Sequence, residues 1–419
     1  MKAFFEIVRL EWRALARSKA LALTIAFAVA WELALPFVLH ADGTAAGAAE
    51  LHLRYALGGA FAIVAIALVS ASTAAIARER AAKRLQLTMV RPVGLVTVAL
   101  GKMVALAAAG ALALALPLAT AAVRTHGAFG RCSHVLKPRM DPPRVEAERM
   151  YGDYMADPET PEAVRKAPKG VVLRLLAQRA LDRYETIGTN ETSVWSFDVP
   201  PDAGGDFSVR MRFTNLMELR QDVRGEFTLG RYCGAVSNIT QAVVTVPLAG
   251  SGTVDPCTPL AFVNRGGSSL MLRPRRDLDL LIPADAFGWN FVRAYLELVS
   301  ALAALIAFGV FLGSALGRPV AMFTAVVALV VGVISPSVVE QYPDQLESNL
   351  ADRVGLWITR SAERITHPVA SLSPIEALSR GECVERSETA EALVRNALVL
   401  PLALAVLAAL VMPRKEEGA

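Results

Sequence analysis

Residues 55–77 read YALGGAFAIVAIALVSASTAAIA, an unbroken run without Asp, Glu, Lys or Arg, and Arg78-Glu79-Arg80 follows at once. Lipid offers backbone amides no hydrogen-bond partner. About 20 apolar residues in a helix are therefore needed to cross a hydrocarbon layer roughly 30 Å thick, and this run is long enough. Working outward, the same reading applies to 20–39, 103–122, 299–316 and 320–339, with a slightly short sixth run at 397–412. The chain is 54% hydrophobic and 20% charged over 419 residues, so apolar and polar characters must occupy separate segments. A net charge of +4 from scattered basic residues gives no support to a nucleic-acid partner.

The flanks set an orientation. With the N-terminus inside, segments 1–19, 78–102, 317–319 and 413–419 hold fourteen basic residues against five acidic ones, whereas the first outer loop carries only Arg54. This bias predicts cytoplasmic N- and C-termini. Two segments then lie outside, 124–290 and 340–396, and they contain all four cysteines, Cys132, Cys233, Cys257 and Cys383. Disulfides persist on that side of the membrane. Four cysteines allow three pairings. Because Cys233 and Cys257 flank one strand-like run, the preferred pairing is Cys233 with Cys257 and Cys132 with Cys383.

The larger outer segment is rich in Pro and charge up to Lys169, with short helices expected around 143–155 and 170–183. Beyond Ser193 it turns strand-like, at 194–199, 207–213, 223–229, 242–246, 260–264 and 269–272. Phe207, Val209, Met211 and Phe213 alternate with Ser208, Arg210 and Arg212, the pattern of a strand with one buried face. A sandwich of about seven strands accommodates them. The expected organisation is an all-α membrane bundle of six helices with an inserted extracytoplasmic, mainly-β domain. Its parts are 1–123 (interfacial helix and spans one to three), 124–290 (outer domain), 291–339 (spans four and five), 340–396 (outer helical segment, amphipathic over 344–366) and 397–419 (span six and tail).

No phosphate-binding GxxxxGK[ST] loop, HExxH or CxxC occurs, and the five histidines are dispersed, so no catalytic, cofactor or metal site is expected. Three features remain. Phe4, Val8, Trp12 and Leu15 form a helical stripe among charged residues, an interfacial helix ahead of span one. Residues 77–102 place a charged half-helix before Pro92, which is positioned to start a new helix and so to build a docking surface for a soluble partner. Arg293 and Glu297, four apart, share a helical face at the outer approach to span four.

Taken together, Arg78-Glu79-Arg80, Leu85, Leu87, Arg91-Pro92-Val93 and Gly101-Lys102, with a tight hairpin at 312–320, resemble the ABC-2 type permease family, the transmembrane subunits of ATP-driven exporters. The acidic-acidic-glycine-threonine stretch usual after the charge cluster is replaced here by Ala81-Ala82-Lys83-Arg84, and the resemblance does not cover the outer domain, which is much larger than the family norm. The resemblance implies a permease pairing with itself or a related subunit and energised by a separate ATP-binding subunit. Arg78, Glu79, Arg80, Leu85, Leu87, Arg91 and Pro92 would receive force from that subunit. Phe4, Val8, Trp12 and Leu15 would form the elbow. The setting implied is the bacterial inner membrane, with an envelope partner for the β-domain. The rival reading is a non-transporting anchor that presents the β-domain for binding or assembly.

Overall fold

The structure, a computed structural model, describes the chain apart from Met1, 40–44, 82–93, 126–129, 159, 182, 201–202, 204, 216–221, 240–242, 256–257, 329–372 and 417–419. It divides into two compact units. The first is helical and comprises Met1–Cys132, Ala286–Tyr342 and Leu346–Ala419; the second comprises Ser133–Asp285 with Pro343–Gln345.

In the helical unit, α1 (Lys2–Arg17) leads into α2 (Lys19–Val38), α3 (Ala45–Ala81) and α4 (Leu95–Thr125). Among the described residues, five helices are long and apolar enough to cross a membrane: α2, α3, α4, the helix Phe287–Ala315 and the helix Arg386–Met412. A shorter apolar helix covers Arg318–Ala328; the rest of the expected span 320–339, and the segment 344–366 expected to be amphipathic, lie outside the described residues. At 1.5 Å per residue the 37 residues of α3 extend about 55 Å, well beyond the hydrocarbon thickness, so its charged last turn projects past the apolar stretch. Helix α4 begins eight residues before the expected span, which makes Gly101 and Lys102 helical.

Small residues set the central packing. Gly309 and Gly313 are spaced four apart along Phe287–Ala315 and face Ser72 and Thr73 of α3. A Cβ on Gly313 would stand 2.3 Å from the Thr73 carbonyl oxygen. Association of apolar helices relies on such close approach, since lipid supplies no hydrophobic drive between them. The last helix is interrupted. After Arg386–Ala392, residues Leu393–Val399 are π-helical before Leu400–Glu416, and the Leu400 N–H bonds back five residues to the Arg395 carbonyl. Pro401 has no N–H to donate to the Ala397 carbonyl, so the helical ladder is broken where the wide turn lies.

Cys132 and Cys383 are joined by a disulfide across 251 residues of chain, as expected. Cys233 corrects the other half of the pairing. It is a free, exposed thiol on a strand, its Sγ 3.8 Å from the Ala249 carbonyl, and so forms no bridge to Cys257, which itself lies outside the described residues. Cys233 lies on a strand paired through its backbone with Ala249, and its side chain is exposed. Tryptic digestion without reductant should therefore yield one linked peptide pair, Cys132 with Cys383, and a Cys233 peptide alkylated by maleimide before any reduction. Alkylation of Cys132 in the unreduced protein would contradict the bridge.

The second unit holds eleven strands among its described residues, in three sheets rather than the two of a seven-strand sandwich. The first has β1 (Arg131–Leu136), β11 (Leu278–Ala286), β4 (Ser208–Arg212) and β8 (Val243–Pro247), in that order. The second runs β2 (Glu185–Ile187), β10 (Leu270–Leu272), β5 (Thr214–Asn215). The third runs β3 (Thr192–Trp195), β9 (Leu260–Asn264), β6 (Asp222–Leu229), β7 (Tyr232–Ile239). Strands β6 and β7 form a hairpin through a two-residue turn in which Gly230 has φ +59°. All sheets share one core, where Phe262 lies 4.9 Å from Phe213 and 4.6 Å from Phe227, centroid to centroid. Buried Asn264 donates to the carbonyls of Ile187, Gly188 and Ser268 and accepts from the Gly266 N–H, tying β9 to its neighbouring loops. Two helices, Pro143–Ala156 and Lys169–Leu181, pack together around Ala147, Val172 and Leu176.

Candidate functional site

The site begins with α1. Its half-buried positions are Phe4, Ile7, Val8, Glu11, Trp12 and Leu15, a 3–4 residue repeat, while Phe5 and Leu10 are exposed. This contains the expected elbow stripe, with Ile7 and Glu11 added. The stripe lies along α4, and Gly101 permits the approach: a Cβ there would stand 2.7 Å from Ile7 Cγ2.

One residue further, Lys102 is buried, its Nζ donating to Glu11 Oε2 at 2.9 Å and to Glu79 Oε1 at 2.7 Å. A single ammonium thus joins α1, the last turn of α3 and the first part of α4. Such charge-assisted bonds are the strong kind. Both carboxylates keep some contact with solvent, with side chains 22% and 33% exposed, so the contribution lies well below that of a sealed pair, at about 1–3 kcal/mol. On the next residue of α3, Arg80 donates to the Ser314 carbonyl at the end of Phe287–Ala315, and its buried Nε has no hydrogen-bond partner among the described residues. Arg78 folds back on its own helix, Nε to the Ala74 carbonyl at 3.3 Å.

Of the residues expected to take up force, Arg78, Glu79 and Arg80 therefore stand at a junction of four helices. Leu85, Leu87, Arg91 and Pro92 lie outside the described residues. Sequence reasoning placed Gly101-Lys102 without a partner for the lysine and missed Glu11 and Ser314. The only available sign was a lysine inside an otherwise apolar helix, which demands a counter-charge. Beside the junction, an apolar cavity of about 370 Å³ is bounded by Phe4, Leu100, Met103, Ala303, Leu398 and Leu402.

Arg293 and Glu297 do not serve one another. Arg293 donates to the Val384 carbonyl at 3.2 Å, and Glu297 accepts from the Thr389 hydroxyl at 2.7 Å. Asn290 adds two bonds, donating to the Glu382 carbonyl at 2.6 Å and accepting from the Val384 N–H at 2.7 Å. With the disulfide, these fasten 382–389 along the start of Phe287–Ala315. Among the described residues no group of three or more His, Cys, Asp or Glu could hold a metal ion. Comparison with family models, curated proteins and solved structures returned no match to this chain.

Proposed function

We propose that this chain is the membrane-spanning subunit of an ATP-driven exporter of the ABC-2 type, energised by a separate ATP-binding subunit and paired with itself or a related permease. The observation that carries the reading is the junction at Lys102. An amphipathic N-terminal helix, the Arg78-Glu79-Arg80 turn and the start of α4 are held by one ammonium, and Arg80 extends the link to Phe287–Ala315. A push on the last turn of α3 is thereby delivered to three other helices at once. In this reading Arg318–Ala328 opens a sixth span, both termini are cytoplasmic, the membrane is the bacterial inner membrane, and the β-rich unit is extracytoplasmic, where it meets substrate or an envelope partner.

The test is whether an ATP-binding cassette protein co-purifies with the chain from its native membranes, followed by Glu79→Gln, Arg80→Ala and Lys102→Met. Membrane insertion should persist, while stimulation of ATP hydrolysis by the permease should fall about tenfold or more, equivalent to roughly 1.4 kcal/mol of lost coupling. Undiminished association and stimulation in all three would remove the reading. The anchor alternative draws support from the second unit's own closed core; it predicts that no ATP-binding protein co-purifies and that the β-rich unit retains a binding partner.

A further inference from the structure

A second buried polar cluster lies away from the Lys102 junction, between α2, α3 and α4. Glu32 of α2 is 1% exposed. One of its oxygens, Oε2, accepts from the Thr120 hydroxyl of α4, which also lies 2.9 Å from the Pro117 carbonyl and has only one proton to give. Its other oxygen, Oε1, has no hydrogen-bond partner among the described residues, and 3.9 Å away stands the buried Nε2 atom of His52 on α3, equally without one there. That separation is too long for a hydrogen bond and short enough for strong Coulomb coupling.

The surroundings offer no other compensation among the described residues. On α3, Arg54 is engaged by Glu376 at 3.2 Å, and Glu50 would add charge of the wrong sign. On α4, Arg124 is exposed one turn beyond Thr120. On α2 itself the only other charged residue is Lys19, thirteen positions away, and the basic residues of α1 precede it. A carboxylate in this position beside a neutral imidazole is an uncompensated buried charge, which proteins avoid by pairing or neutralising it.

We propose that Glu32 and His52 form a one-proton binding site. The pair takes up H⁺ from solvent, moves from a net charge of −1 to zero, and keeps that proton on one or other of the two groups. The consequence concerns α2, the candidate span least covered by protein, whose side-chain hydrogen bonds to other helices are, among the described residues, Glu32 to Thr120 and the Trp31 indole N–H to the Tyr55 carbonyl at 3.0 Å. Any displacement of α2 carries Glu32 away from His52, so the helix moves without baring a charge only if the proton travels on Glu32.

The experiment uses the full chain in lipid nanodiscs at neutral pH. Nitrogen-15 histidine spectra report imidazolium, and infrared spectra report a protonated carboxyl C=O band. One signature alone is expected: either a cationic His52 that becomes neutral in Glu32→Gln, or a carboxyl band that disappears in Glu32→Gln. In His52→Gln the carboxyl band should be present. Should these variants fail to fold, replacement of the other four histidines leaves His52 as sole reporter with the site intact. A neutral His52 with no carboxyl band, or both signatures together, overturns the proposal. Neither outcome depends on whether the chain engages an ATP-binding subunit.

Discussion

Leucine at Gly313 should abolish recovery of monodisperse protein from detergent extracts, the largest effect expected of any single substitution in the helical unit. The added Cβ alone would stand 2.3 Å from the Thr73 carbonyl oxygen and 3.0 Å from its carbon, both backbone atoms that no side-chain rotation can clear. The two helices must part, and the neighbouring Gly309, against Ser72, loses its fit with them. Overpacking against movable side chains costs about 1–3 kcal/mol, and a rigid backbone obstacle places Gly313→Ala at the top of that range with Gly313→Leu beyond it. Total stabilities of about 5–15 kcal/mol leave little room for such a loss. Gly58→Ala on α3 is the control, since nothing lies within 4 Å of a Cβ there. Size-exclusion profiles of the three variants decide the matter; a symmetric, wild-type-like peak for Gly313→Leu would mean that α3 and Phe287–Ala315 do not meet this way.

The second large effect belongs to the other unit. Phe262→Ala should lower its stability by about 3–5 kcal/mol, the range for emptying a fully buried aromatic site. Phe262 is wholly buried, contacts Phe213 and Phe227, and fills the space over Gly225, where a Cβ would come within 2.4 Å of its ring. Relaxation is restricted because β9 is hydrogen-bonded on both sides, to β3 and β6. Trp195 on β3 is buried, its indole N–H 2.6 Å from Glu185 Oε2, and serves as a fluorescence reporter in a version with the remaining tryptophans replaced. A denaturation midpoint shifted by less than the equivalent of about 1 kcal/mol would show that Phe262 is not central to this core.

What the sequence could reveal divides along the range of the forces involved. The long apolar helices were legible because the need to satisfy backbone amides leaves a signature within twenty consecutive residues. The α1 stripe was legible through its helical period. Along β4 and the residue on either side of it the alternation held throughout: Phe207, Val209, Met211 and Phe213 are buried, and Ser208, Arg210 and Arg212 are not. Strand β11 was missed for the opposite reason. Five successive residues from Leu278 are buried, including Asp279, whose charge is met by Arg210 and Lys137. Such a strand has no period of two and looks unsuited to a core until its distant partners are known. Strand β7 escaped because Gly234, which weakens any strand reading, is there to let β8 approach: a Cβ would stand 2.7 Å from the Pro247 carbonyl oxygen. The junction shows the same division. Arg78-Glu79-Arg80 and Gly101-Lys102 stood out locally, but Glu11 and Lys102 are 91 residues apart and only the fold introduces them. Arg293 and Glu297 were read as mutual neighbours on one helix face, yet each is satisfied by the 382–389 segment, a non-local solution that spacing cannot express.

The polypeptide leaves the helical unit after Cys132 and re-enters it at Ala286, and close to both points the Phe287 N–H bonds to the Gly130 carbonyl at 3.4 Å. The inserted stretch thus starts and finishes at neighbouring points of the helical unit, so a short linker in place of Ser133–Asp285, with Cys132 and Cys383 kept, would close the frame without stretching it.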